Sequence, residues 1–241
     1  MLLFVEIVCF FCYYIDMGYH IDTGLIKEKF ATPCECPLCE IQKIVEEQFL
    51  HEFLNDAVME DSARAKVNKL GFCGKHFDML FARPNKLSVA LQITTRTNTL
   101  QKLLTNVKSV SQAKKQAKAL EKQSTTCIIC DLTNESMVKY YKTVAQLFNK
   151  EKDFYKTLLS TKGFCLKHYS ALLNYASYAG FTANAYVEFL SGIESRNFER
   201  LQSELKVFCD KHDYRNAREP LGNAEDSLKR MGEKLYGKKY Q

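Results

Sequence analysis

A heptapeptide nearly repeats itself in this chain, and each copy has a partner upstream. GFCGKHF spans residues 71–77 and GFCLKHY spans 163–169. CPLC (36–39) precedes the first and CIIC (127–130) the second. Thirty-three residues separate Cys39 from Cys73, and thirty-four separate Cys130 from Cys165. The two sets are offset by 91 residues at the cysteine pairs and by 92 at Cys73 and Cys165. An ordered repeat with matched internal spacing marks two related units.

The residue types state the chemistry. Thiolate and imidazole are preferred donors for zinc, which takes four ligands in a tetrahedron. Cysteines two residues apart can bring both sulfurs to one ion. A Cys and a His three residues apart on a first helical turn share a face. The free N–H groups of a helix N-terminus also favour a thiolate there. Chain order pairs consecutive motifs, so one Cys3His site is expected from Cys36, Cys39, Cys73 and His76. The other is expected from Cys127, Cys130, Cys165 and His168. Each site would then hold one structural zinc ion, two in all. Buried cysteines acting as small hydrophobes, iron–sulfur binding and disulfide redox chemistry are the competing readings. Four protein donors leave no open position for a catalytic water, so no enzyme is expected.

Other cysteines and histidines are harder to place. CECPLC offers a third thiol, Cys34, which could replace Cys36, act as a redox-sensitive neighbour or stay unliganded. VFCDKHD (207–213) looks like a frayed third copy. Its Cys209 and His212 could be matched only by Cys9 and Cys12 in the apolar leader, so a core cysteine and a helix-end histidine are expected instead. His20 and His51 stand alone. No glycine-rich phosphate loop, GxSxG elbow or HExxH motif is present.

Helical periodicity surrounds every motif. Ile41, Val45, Phe49, Phe53 and Ala57 form an i, i+4 row after CPLC. Ala63, Val67 and Leu70 mark a short helix near 62–70, with Gly71 as its left-handed cap. The second unit repeats this plan with Met137, Tyr141, Val144 and Phe148, then a short helix near 152–161 ending at Gly163. Tyr140 and Tyr141 are read as core. A long helix is expected over about 86–107, with Leu87, Leu91, Leu100, Leu103 and Leu104 as its apolar side. Another is expected over 182–211, with Val187, Leu190, Ile193, Leu201, Leu205 and Phe208. A short final helix over 224–236 would use Leu228, Met231 and Leu235. Only 4 prolines and 10 glycines occur in 241 residues, and such scarcity of turn residues favours long helices. The expected fold is all-α, with two helical units at 17–107 and 127–212. A lysine-rich linker, 108–126, itself expected to be helical, would join them, with a C-terminal turn and helix at 213–241.

Charge excludes little. The net charge is +6, yet residues 32–107 balance nine acids against nine bases. Residues 108–126 carry five lysines against Glu121 alone. A uniformly basic face suited to a phosphate backbone would look different. The leader MLLFVEIVCFFCYYI lacks a positive start, carries Glu6 and is short for a membrane span of about 20 residues. No membrane association is expected, no small-molecule substrate is evident, and paired cysteines in an intracellular chain more often mean metal than disulfide.

CECPLCE, NKLGFCGKHF, NKLSVAL, CIIC, TKGFCLKH and DYRNAREPLGNAEDSLKR, in that order over about residues 17–236, resemble an uncharacterised bacterial family known as domain of unknown function number sixty sixty-two. The resemblance implies a helical protein of the bacterial cytoplasm with two Cys/His sites, and no activity. It implies that residues 1–16 are an extension, with Met17 as a candidate start. It also implies a plain aromatic–basic stretch where this chain has Cys209 and His212.

The leading functional expectation is a zinc-stabilised helical module that binds another protein. Nucleic-acid binding is the second, drawn from the lysine stretch and from Arg215, Arg218, Lys229 and Arg230. A thiol or zinc redox sensor, drawn from Cys34, is the third.

Overall fold

The computed structural model describes residues 23–55, 58–104, 106–211 and 220–238. Ala57, Cys9, Cys12, His20, Met17, His212, Arg215 and Arg218 lie outside the described residues, and with them the alternative of a third site and the expected helix-end role of His212. Every regular element among the described residues is helical. In chain order these are α1 (23–31), α2 (Pro37–Leu54), α3 (Asp61–Leu70), α4 (Gly74–Phe81), α5 (Lys86–Gln101) and α6 (Val110–Ser124). There follow α7 (Ile128–Lys150), α8 (Phe154–Ser160), α9 (Leu166–Asn174), a 3-10 segment (Ala176–Thr182), α10 (Ala183–Asp210), a 3-10 turn (Gly222–Ala224) and α11 (Ser227–Tyr236). No described helix is long and apolar enough to cross a membrane.

The chain forms two compact units that do not follow the repeat. One is an inserted unit, Ile44–Ser136, and the other is discontinuous, Met1–Lys43 with Met137–Gln241. The expected units at 17–107 and 127–212 are therefore corrected. The lysine-rich stretch forms helix α6 and lies inside the inserted unit rather than between two units. Both boundaries fall within helices, α2 and α7.

The inserted unit packs Leu50, Phe53, Leu54, Val67, Leu80 and Val89 with Cys127, Ile128 and Ile129. In the discontinuous unit the Phe30 ring lies 6.0 Å from Phe154 and 5.8 Å from Phe164. Tyr140 and Tyr141 are buried, as the helical row predicts.

Two helices turn an unexpected face inward. Helix α5 ends at Gln101, short of 107, and buries Ser88, Val89, Gln92 and Arg96 while exposing Leu87 and Leu91. Helix α11 buries Ser227 and Lys234 while Leu228 and Leu235 stay exposed. The polar rows win because they have backbone partners. Gln92 donates to the Phe53 carbonyl at 2.6 Å, and Lys234 donates to the Lys162 carbonyl at 2.6 Å. A satisfied buried polar group lets its helix accept that orientation. Val187 on α10 is also exposed, whereas Leu190, Ile193 and Leu201 are buried as expected.

Candidate metal centres

Each GFC motif is built the same way. The glycine ends a short helix or its trailing turn with positive φ, +66° at Gly71 and +79° at Gly163. Gly71 has ψ −162°, so it adopts an extended form open essentially to glycine alone rather than the expected left-handed helical cap. The phenylalanine then anchors the turn. Phe72 meets the Phe53 ring edge-on at 6.0 Å, and Phe164 is fully buried. The cysteine caps the next helix: Phe77 N donates to Cys73 O at 2.8 Å, and Tyr169 N to Cys165 O at 2.8 Å. The histidine follows one turn on and is buried in both copies.

The eight expected donors do converge in two groups of four, but not in the expected sets. Cys36, Cys39, Cys165 and His168 form one cluster, and Cys73, His76, Cys127 and Cys130 form the other. In each, the four ligand atoms lie within 4.8 Å of one another. Consecutive pairing is thus corrected to crossed pairing, and each cluster sits within one compact unit.

Helix length is the reason. Helix α2 has 18 residues and α3 only 10, about 27 Å out against about 15 Å back. The return leaves His76 beside Glu46, seven residues beyond Cys39 on α2. Likewise α7 runs 23 residues and α8 only 7. His168 accordingly packs on Tyr141, eleven residues beyond Cys130, with ring centroids 6.0 Å apart. Neither histidine can return to the cysteine pair that precedes it.

The geometry suits a tetrahedral ion. Cys39 and Cys165 sulfurs are 3.7 Å apart, and Cys73 and Cys130 sulfurs 3.8 Å. Bonds of about 2.3 Å to sulfur in a tetrahedron give an edge of about 3.8 Å, whereas a disulfide would need about 2.0 Å. The described cysteines are all free thiols. His76 Nδ1 lies 3.2 Å from the Cys73 and Cys127 sulfurs and 3.3 Å from Cys130. His168 Nδ1 lies 3.3–3.5 Å from its three sulfurs. Both imidazoles therefore face their cluster through Nδ1.

The far ring nitrogen is held in each case by α2. His76 Nε2 meets Glu46 Oε1 at 2.7 Å, and His168 Nε2 meets Gln42 Oε1 at 3.0 Å. The lysine in each GFCxKH motif goes to the same acceptor. Lys75 Nζ reaches Glu46 Oε1 at 2.6 Å, and Lys167 Nζ reaches Gln42 Oε1 at 3.1 Å. Such partners fix the tautomer and orientation of a metal-binding histidine. The spacing of the motif gave no sign of Glu46 or Gln42.

Two more positioning groups escaped sequence reading. Arg96 donates to the Asn68, Lys69 and Gln123 carbonyls beside Gly71. Lys234 is fully buried and donates to the Phe164 carbonyl at 3.0 Å, while Glu194 accepts from Phe164 N at 2.8 Å. Nothing in the spacing marks a lone cation on a distant helix as the clamp of such a turn.

Electrostatics differ between the clusters. Burial pushes the Cys130 thiol up to about 12, aided by the Cys127 charge. Burial opposes ionisation of Cys127 as well, but hydrogen bonds from His76 and from the Cys130 and Cys73 amides hold it at about 6. His76 rises to about 10 because Cys127 and Glu46 outweigh its burial. In the other cluster, the shared hydrogen bond with Cys165 lifts Cys39 to about 12, and Cys36 is raised by burial. Cys165 is correspondingly lowered by its hydrogen bonds from Cys36 and Cys39.

Cys34 is half-buried and belongs to neither cluster; burial and nearby Glu40 raise its thiol. Cys209 is exposed, not a core residue, and His51 is exposed as well. Arg230 is engaged by carboxylates, 2.6 Å from Glu204 and 2.7 Å from Asp226.

A family of unknown function (DUF6062) matches residues 17–241. The chain belongs to this family. No curated protein and no solved structure matches it.

Proposed function

We propose that this member of the family is a non-enzymatic helical module, held together by two structural zinc ions, that binds another protein. The observation that carries this reading is the closure of both donor sets. Each cluster supplies three sulfurs and one imidazole nitrogen from the chain itself, which leaves no position for a reacting water. We assign Cys36, Cys39, Cys165 and His168 to one ion and Cys73, His76, Cys127 and Cys130 to the other. Zinc is the choice because it favours tetrahedral thiolate and imidazole sets. A reducing compartment such as the cytoplasm would keep these thiols available.

The test begins with metal content per purified chain, expected at two zinc ions. At about 10–16 kcal/mol apparent per structural zinc in peptides, one ion can exceed the net stability of a domain. Chelation at neutral pH is therefore expected to abolish most helical circular dichroism. An unchanged spectrum after verified metal removal would reject the structural role. Turnover of a small substrate by the zinc-loaded protein, with no protein partner found, would reject the binding role. The exposed lysines of α6 favour nucleic acid as a second reading, which requires an affinity that falls steeply with salt.

A further inference from the structure

The inserted unit concentrates positive charge and exposed apolar side chains on one stretch of chain. From Met79 to Leu120, 42 residues, there is no Asp or Glu, against eight Lys and Arg. Two of those cations are engaged internally: Arg83 pairs with Glu47, and Arg96 is buried on backbone carbonyls. No ion pair joins the six lysines to a carboxylate among the described residues. The same stretch holds six of the seven large apolar side chains that this unit exposes, Met59 being the other.

Helix α5 shows why this is not simple misplacement. Its buried row, Ser88, Gln92 and Arg96, is tied to the backbone, so the helix is fixed with Leu87 and Leu91 outward. They are 69% and 49% exposed and one turn apart. Helix α6 buries none of its side chains fully, presents Lys114, Lys115 and Lys118, and is held to the turn that follows α5 by Gln116 on the Leu103 carbonyl at 2.7 Å.

We propose that the exposed side of α5 and the acid-free part of α6, 110–120, dock an acidic amphipathic helix of a partner protein. Apolar residues of the partner would cover Leu87 and Leu91, and its carboxylates would meet the lysines. The proposal rests on the protein-binding reading above and supplies its surface and the partner's chemistry. Charge complementarity selects an acidic partner. Leucines at i, i+4 are the anchors of helix recognition, whereas a phosphate backbone would use the lysines and leave the leucines bare. A lipid surface would draw on an exposed aromatic, but the aromatic here, Phe81, lies under the Lys86 ammonium at 4.0 Å.

The experiment uses the metal-loaded full chain and a fluorescent helical peptide with leucines at i, i+4 among glutamates. Its comparisons are a spacing-scrambled isomer, anionic phosphatidylglycerol vesicles and duplex DNA. Selective binding of the helical peptide is expected. Leu87→Glu with Leu91→Glu should weaken it by about tenfold or more. Lys114→Glu with Lys115→Glu and Lys118→Glu should weaken it comparably and flatten its salt dependence. Metal content and circular dichroism should stay unchanged in both variants. Absence of binding, equal binding of the scrambled peptide, or preference for vesicles or DNA would overturn the proposal. A natural protein partner that bound wild type and both variants alike would overturn this face yet leave the protein-binding reading standing.

Discussion

The Nε2 atom of His76 lies 2.7 Å from the Glu46 carboxylate. Its counterpart in the other cluster, His168, meets the amide of Gln42 instead. One imidazole is thus backed by a charge and the other by a neutral dipole. Hydrogen bonds from His76 and Lys75 overcome the effect of burial and hold the Glu46 carboxyl below its usual range. Removing Glu46 should therefore cost more metal affinity than removing Gln42. Glu46→Ala is expected to weaken one ion by about 10–100-fold and Gln42→Ala to weaken the other by less. Competition with a chromophoric chelator would measure both.

Crossed pairing has a distinctive stoichiometry. Cys73→Ser and Cys165→Ser should each reduce bound zinc from two ions to one. The double variants then separate the arrangements. Cys36→Ser with Cys165→Ser disables a single cluster and should retain one ion. Cys36→Ser with Cys73→Ser disables both clusters and should retain none. Consecutive pairing would reverse these two results in a metal analysis per chain.

Metal uptake at the Cys73 cluster should release protons. Without metal, Cys130 at about 12 and His76 at about 10 both hold a proton at neutral pH, whereas Cys127 at about 6 does not. An ion must displace a proton from Cys130 and from His76. Affinity should rise with pH between the lower value and the upper two, by at least about 100-fold per pH unit, since these two groups alone release two protons. Acid should release the metal. Calorimetry in buffers of different ionisation enthalpy would count the protons; a count of zero at neutral pH would contradict this picture.

Gly163 leaves no room for a side chain. A Cβ there would sit 2.6 Å from Glu194 Oε2 and 2.8 Å from Lys234 Nζ, at φ +79°. Gly222 also has positive φ but has no neighbour within 4 Å. Gly163→Ala should therefore lower the thermal midpoint well beyond Gly222→Ala, whose strain alone costs about 1–3 kcal/mol.

Lys234→Met should be more severe than its helix position suggests. It would leave the Glu194 carboxylate buried without its cation and two carbonyls without a donor. Breaking one side of a buried pair costs about 3–5 kcal/mol. Thermal denaturation of the metal-loaded protein would show the loss, and a shift no larger than that of an exposed lysine variant would refute it.

The sequence by itself determined the helical class and picked out the eight Cys and His residues that converge in two groups. Periodicity of 3.6, scarce Gly and Pro, and the fixed spacing of Cys, Cys, Cys and His are local properties, so they are legible in one dimension. The glycine of each GFC motif is local as well, because it lies two residues before the cysteine. Tertiary structure decided which half-sites meet. That outcome depends on the difference between an outgoing helix of 18 residues and a return of 10, and between 23 and 7. It also decided that α5 and α11 face inward through Arg96 and Lys234 rather than through their leucines. A buried cation is worth its desolvation only where carbonyls and carboxylates already converge, and that convergence exists only once the chain has folded.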